Sequence, residues 1–195
     1  YRWNGSSWSW IGNSFKLSIA TTGGLVAINS TDIALYDTYN DILRTYRWNG
    51  SSWSQVGSSL SIASGSYPVS LTSLNSTDIA LYNSGTTSIK IYRWNGSSWS
   101  QIGNSCDCSG AAAGDLAALT STDIVFTGFL INEIRRYKWN GFDCSPIGDP
   151  FKISEGIGIP SIVALNSTDI AFIDATNDSL RTYRWSVKFP TPYRP

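Results

Sequence analysis

The nonapeptide YRWNGSSWS occupies Tyr1–Ser9 and returns unchanged at Tyr46–Ser54 and Tyr92–Ser100. It is the visible part of a longer period. Trp3, Trp48, Trp94, Trp139 and Trp185 are spaced 45, 46, 45 and 46 residues apart. A second marker keeps step, because Asp32, Asp78, Asp123 and Asp169 each sit in a Thr-Asp-Ile triplet. Two markers sharing one period define a tandem repeat.

Within a unit every segment has strand character. Leu25–Ile28 is a short apolar run that ends at the Asn29-Ser30-Thr31 turn. Ile33–Tyr36 follows, then a polar turn over Asp37–Asp41, then Ile42–Trp48. Asn49-Gly50 predicts a two-residue type I′ hairpin, leading into a fourth strand over Ser51–Gly57. Four strands in about 45 residues is the size of a propeller blade. The sequence therefore predicts an all-β fold, a β-propeller of four-stranded antiparallel blades, with four blades visible. The repeats run approximately 13–57, 58–103, 104–148 and 149–185, with residues 1–12 returning to the last unit and 186–195 as a tail. In this reading the N-terminal strand completes the last blade and leaves no open edge between the ends.

Composition narrows the partners. The 195-residue chain has 14 Lys+Arg against 14 Asp+Glu, a balance that argues against nucleic acid, whose phosphates call for surplus cations. No apolar run approaches the roughly 18 residues of a membrane span. Nine Trp and many Ser, Thr, Gly and Asn describe a folded domain with a polar surface, not a disordered segment. The chain contains no Met and opens in mid-motif, which predicts a mature or excised piece of a longer precursor.

Of the three cysteines, Cys144 stands where other repeats have Trp8, Trp53 and Trp99. A bridge from Cys144 to Cys106 or to Cys108 would join neighbouring repeats and leave one thiol over; buried free cysteines are the alternative. The chain has no His, so a three-cysteine metal site lacks a fourth ligand and Ser-His-Asp or Cys-His catalysis is impossible. Glu133 and Glu155 are the only Glu and neither recurs. No phosphate-cradling Gly loop is present, no cofactor is implied, and the expectation is a protein that is not an enzyme.

Alternation along the hairpin places Arg44, Tyr46, Trp48, Trp53 and Gln55 on one face, and Lys90, Tyr92, Trp94, Trp99 and Gln101 on the equivalent face of the next repeat. Two indoles, a phenol, a cation and an amide suit a sugar ring, whose C–H face packs on indole. They also suit a choline-like cation, or the packing of one blade on another. The Thr-Asp-Ile aspartate is expected to accept backbone N–H bonds in its own turn. Asp37, Asn40 and Asp41, which recur as Asp174, Asn177 and Asp178, read as a polar hairpin turn and not a calcium loop. Seven Asn-x-Ser/Thr sequons, at Asn4, Asn29, Asn49, Asn75, Asn95, Asn166 and Asn177, fall mostly in turns that want Asn for its backbone preferences.

The run Ile79–Trp99, with its strand ending in Tyr, then Trp, a Gly turn and a second Trp, resembles the repeat of the fucose-binding propeller lectins of fungi and bacteria. The resemblance implies sugar sites between blades, with the Trp elements matching Trp48 with Trp53 and Trp94 with Trp99. The family's Arg position falls on Ala34, Ala80, Val125 and Ala171, and its Glu position on Thr45, Ile91, Arg136 and Thr182. The polar clamp is thus absent from every repeat.

Two functions remain open. One is a secreted or surface-displayed module that binds a glycan or cell-surface ligand through repeated aromatic faces, with avidity from several weak sites. The other is a structural or assembly propeller of an extracellular appendage or virion fibre, whose partners are neighbouring protein subunits.

Overall fold

A computed structural model describes residues 1–17, 22–62, 69–111, 113–128, 132–153, 161–174 and 177–185. The expected tail 186–195 and the Pro/Gly links at 63–68 and 154–160 lie outside the described residues. Every described element is a strand. A short hairpin, β1 (Arg2–Trp3) and β2 (Trp8–Ser9), precedes four meandering antiparallel sheets. The first sheet is β3 (Thr22–Ala27), β4 (Asp32–Asp37), β5 (Ile42–Trp48) and β6 (Trp53–Ser61), and the second is β7 (Val69–Ser73), β8 (Asp78–Asn83), β9 (Ser88–Trp94) and β10 (Trp99–Asp107). The third is β11 (Gly114–Ala118), β12 (Asp123–Gly128), β13 (Glu133–Trp139) and β14 (Cys144–Pro146), with β15 (Phe151–Lys152) also on β13. The fourth has three strands, β16 (Ile162–Ala164), β17 (Asp169–Asp174) and β18 (Ser179–Arg184). These are the blades of a β-propeller, as the repeat predicts. Their innermost strands pack in sequence, β3 on β7, β7 on β11 and β11 on β16. Asp115 ties three of the blades together by accepting from the Ser70 hydroxyl at 2.7 Å and the Ile162 N–H at 2.9 Å.

The two repeat markers bind each other. Asp32 lies opposite Arg47 in the β4–β5 register, and the guanidinium makes two 2.7 Å bonds to the carboxylate. Asp78 with Arg93 and Asp169 with Arg184 repeat the pair at the same distances, while Lys138 stands in at 3.0 Å from Asp123. This corrects the expected role of the aspartate. The turn acceptor is instead the preceding Asn: Asn29 Oδ1 takes the N–H groups of Thr31 and Asp32 at 2.8 and 2.9 Å. The carboxylate is thereby left free for the cation of the next strand. Arg47 holds Asp32, and Arg184 holds Asp169, below the usual carboxylate range. At Asp78 and Asp123 burial is the largest single influence and pushes the other way, and the bonds and charges of Arg93, Asn75 and Thr77, or of Lys138, Arg136 and Thr120, together outweigh it.

The outer hairpin also differs from expectation. Asn49-Gly50 opens a four-residue turn, so Trp48 faces Trp53 and Tyr46 faces Gln55. The reason is again an Asn side chain. Asn49 Oδ1 accepts from the N–H groups of Ser51 and Ser52 at 3.0 and 2.9 Å, and only Gly50 takes a positive φ, of 100°. A type I′ turn would need two such residues.

Four residues beyond the second aromatic position comes another glycine: Gly12, Gly57, Gly103 and, after Cys144, Gly148. Each has φ between 61° and 68°. Gly57 sits in a bulge of β6, where pairing skips from Val56 opposite Thr45 to Leu60 opposite Leu43. The bulge presents the Ser58 N–H to the Ser97 carbonyl of the next blade's turn at 2.7 Å, and Asn104 does the same for Phe142. A Cβ on Gly57 would strike the Trp94 ring and the Ser97 carbonyl.

The sequence places the N-terminal strand on the last blade, and the structure describes it beside the first. β1 and β2 pair with each other, and Asn13 N–H donates to the Ser51 carbonyl at 2.9 Å, the bond that Ser58 makes to Ser97. The hairpin therefore holds the outer position of a blade preceding the first sheet. The cause is Gly12, which fits against Trp48 as Gly57 fits against Trp94.

Gly57→Ala should destabilise the chain by about 2–4 kcal/mol, combining a left-handed Ala with a steric conflict at the joint; urea unfolding measures it, and Gly50→Ala, whose Cβ meets nothing within 4 Å, should cost about half as much. A second expectation concerns acid. Depressed folded pKa values stabilise fully above the unfolded value near 3.9 and are lost as pH falls through the folded values. With no His to titrate, the urea midpoint should stay level between about pH 7 and 5 and fall below about pH 4.

Candidate functional site

The face predicted for binding exists, although its register differs. Opposed residues share a side of the sheet, so Arg44, Tyr46, Trp48, Trp53 and Gln55 still line up across β5 and β6. The indoles of Trp48 and Trp53 lie 5.3 Å apart between centroids, as do those of Trp94 and Trp99.

What covers this face differs from blade to blade. In the second blade Tyr92, Trp94 and Trp99 are buried, the two indoles at 6% and 4% exposure, against Ala34, Tyr36 and Leu43 of the first. The Trp99 Nε1–H donates to Thr45 Oγ1 at 2.7 Å, and burial pushes the Tyr92 phenol up to about 12. A ligand reaches none of these three side chains unless the blades separate, which corrects their assignment as a binding face; Lys90 and Gln101 remain at its margin. Among the cations, Arg44 is bound to Asp37 at 2.9 Å and does not stack on the indoles. Asp37 also accepts from the Tyr39 and Asn40 N–H groups, closing the polar turn that the sequence suggests. The positions of the lectin clamp are filled by packing: Ala34, Thr45, Ala80, Ile91 and Val125 are all at 1% exposure or less.

The third blade replaces its second indole by a covalent bond. Cys144 lies opposite Trp139 and forms a disulfide with Cys106 of β10, joining the outer strands of adjacent blades. Cys108 is left as a buried free thiol, which burial pushes up to about 11. Of the two bridges the spacing allows, this one forms: Cys106 and Cys108 are both buried in the interblade core, and Cys106 lies with its Cα 5.0 Å from that of Cys144. At the next joint Arg136 lies over the Trp185 ring at 5.7 Å. Neither this contact nor the Thr45 bond is signalled by any spacing. The glycine bulges are signalled, as a third repeat-locked marker.

Among the described residues, the first blade's paired indoles are not buried against a neighbouring blade. Trp48 and Trp53, half-buried, line a cleft of about 800 Å³ with Trp10, Phe15, Leu25 and Leu35, and no charged side chain lines it. Phe15 packs on Tyr46 at 5.4 Å. Among the described residues no group of His, Cys, Asp and Glu is arranged to hold a metal, and no helix is long and apolar enough to cross a membrane.

No protein-family model matches the chain, and no curated protein matches it. Solved β-propellers do. The β-propeller domain of Cps50 (Swd1) from Myceliophteria thermophila superposes with a TM-score of 0.62 at 9% identity, over 85% of this chain and 54% of that one. YCF48 bound to a D1 peptide gives 0.57 at 16% identity, over 90% and 58%. A mutant of AofleA from Arthrobotrys oligospora, with three arginines replaced by alanine, gives 0.57 at 18% identity, over 84% and 53%. At these identities the likeness is one of fold. The chain spans little more than half the length of each.

The disulfide closes a separation of 38 residues, so Cys144→Ser should cost about 4 kcal/mol in urea unfolding. A thiol-reactive dye should label nothing in the native, unreduced chain and one thiol per chain once it is denatured; labelling of a native thiol would contradict the pairing.

Proposed function

We propose that the chain is a non-enzymatic propeller module whose work is assembly with other protein, in an extracellular, oxidising setting. The observation that carries this reading is the use of the repeated aromatic set. Where a blade precedes it, as at Tyr92, Trp94 and Trp99, the set is spent on holding blades together. The hydrophobic surface left over lies at the two ends of the array, a form suited to protein contact. The Cys106–Cys144 bridge supports the oxidising setting, since such bonds persist outside the cytosol. YCF48, with its bound peptide, is an example of a propeller of this shape meeting a polypeptide. With no His in the chain and the Cys108 thiol buried and protonated, the side chains offer neither an imidazole base nor an activated nucleophile.

Glycan recognition is the second reading, and one observation favours it. The cleft at Trp48 and Trp53 is open to solvent and lined by both indoles and by phenol rings, and a lectin propeller is among the fold's relatives. A glycan array probed with the purified chain separates the two, each hit being titrated by Trp fluorescence. Assembly predicts a blank array. It also predicts that acrylamide quenches the exposed Trp3, Trp8 and Trp10 while leaving Trp94, Trp99 and Trp139 protected. A saturable glycan that Trp53→Ala weakens by about tenfold or more, roughly 1.4 kcal/mol, would overturn the assembly reading.

A further inference from the structure

Each blade joint within the chain brings together a leading face and a trailing face. In the first joint the leading face is Leu71, Ile79, Leu81, Tyr92, Trp94 and Trp99 of the second blade; the trailing face is Val26, Ile28, Ala34, Tyr36, Leu43 and Thr45 of the first. One face of each kind meets no full blade in this pattern, and on the leading one Leu35 and Tyr46 are already buried, Tyr46 packed by Phe15. The first blade's leading face, Leu25, Ile33, Leu35, Tyr46, Trp48 and Trp53, is identical to that of the second, residue for residue, at an offset of 46. Leu25 is 62% exposed there. The fourth blade's trailing face, at an offset of 137 from the first blade's, is Val163, Leu165, Ala171, Ile173, Leu180 and Thr182. Leu180 is 76% exposed, and Val163, Leu165 and Ile173 are each at least half exposed.

We propose that two copies of this chain join head to tail, the fourth blade of one on the first blade of the other. The inference rests on the assembly reading and names its partner. Two observations select a second copy. The first is the hydrogen bond at the joint. Thr occurs at this trailing position only at Thr45 and Thr182, with Ile91 and Arg136 in the other two repeats. Thr45 receives the Trp99 indole N–H; Thr182 is exposed, and Trp53 is the matching indole at the other end of the chain. The second is a missing strand. The fourth sheet has three strands among the described residues, while Trp8–Gly12 already occupies the outer position of the blade ahead of the first sheet. A docked copy's β18 would bring Tyr183-Arg184-Trp185 to the place of the identical Tyr1-Arg2-Trp3, beside the strand that completes it. Head-to-tail faces of this kind close when two joints form at once.

Sedimentation of the purified chain tests this, using Leu25→Glu and Leu180→Glu, substitutions at exposed positions that leave the internal joints alone. The native chain is expected to sediment at twice its 21.3 kDa mass, and each variant alone as a monomer. An equimolar mixture of the two variants should dimerise again, because it restores one sound trailing face to one sound leading face. Its dissociation constant should be at least about tenfold weaker than that of the native dimer, which has two joints. A monomeric native chain, a variant that dimerises alone, or a mixture that stays monomeric overturns the proposal. A monomeric chain with a blank glycan array would reject the second copy and leave the assembly reading standing; a saturable glycan hit would reject that reading itself.

Discussion

The fold depends on how one blade grips the next at its outer rim. A glycine bulge on one outer strand lets the backbone approach the following blade's Asn-Gly turn, donate an N–H to its carbonyl, and pass under its first indole. The geometry demands a left-handed residue without a side chain on one partner and an open carbonyl on the other. It also demands an indole at a fixed height above the turn. Such a contact tolerates little variation on either side, and every interior blade presents both sides, one at each end of its outer strand. This is why Trp-Asn-Gly recurs at every turn so gripped, Trp139-Asn140-Gly141 included, while the residues after it change to Phe142, Asp143 and Cys144 in the third blade.

Most of the architecture was legible in the sequence, because period, strand length and turn composition are local properties. Trp at intervals of 45 or 46 and Asp in step with it determine the blade, and the third strand was read to the residue as Ile42–Trp48. What could not be read was what each polar side chain does once strands are paired. Asn49 could supply a left-handed backbone or an acceptor oxygen, and the choice shifts the hairpin register by two residues; only the trapped N–H groups of Ser51 and Ser52 decide it. The shift preserved the aromatic face, since a register change by an even number keeps every side chain on its side of the sheet. Burial of that face was beyond reach for a different reason. Trp53 and Trp99 stand in the same repeated motif, and only Trp99 is buried, because the blades that carry them differ in whether a full blade precedes them.

The same logic explains where the charges went. Each carboxylate of the Thr-Asp-Ile series is committed to a cation fifteen residues on in its own blade, and a turn Asn, or Thr120 in the third blade, relieves it of backbone duty. Pairing across adjacent strands is local, so it survives in the blades however the array is extended. A sugar clamp needs the opposite arrangement: charged groups left unpaired between blades. At the joints inside the chain those positions hold Ala34, Ala80, Val125, Thr45 and Ile91, which are packed, and Arg136, which lies over Trp185.

Near-identical repeats carry a hazard, since a blade can dock on the wrong neighbour as readily as on the right one. The joints that diverge limit this hazard. Thr45 meets the Trp99 indole, Ile91 packs in the core that holds the Cys106–Cys144 bridge, and Arg136 covers Trp185. Exchanging neighbours would leave the Trp99 N–H buried without an acceptor, a loss of order ~1–3 kcal/mol. The disulfide then fixes the middle joint covalently. Identity at the rim makes blades able to join, and difference at one trailing position determines which ones do.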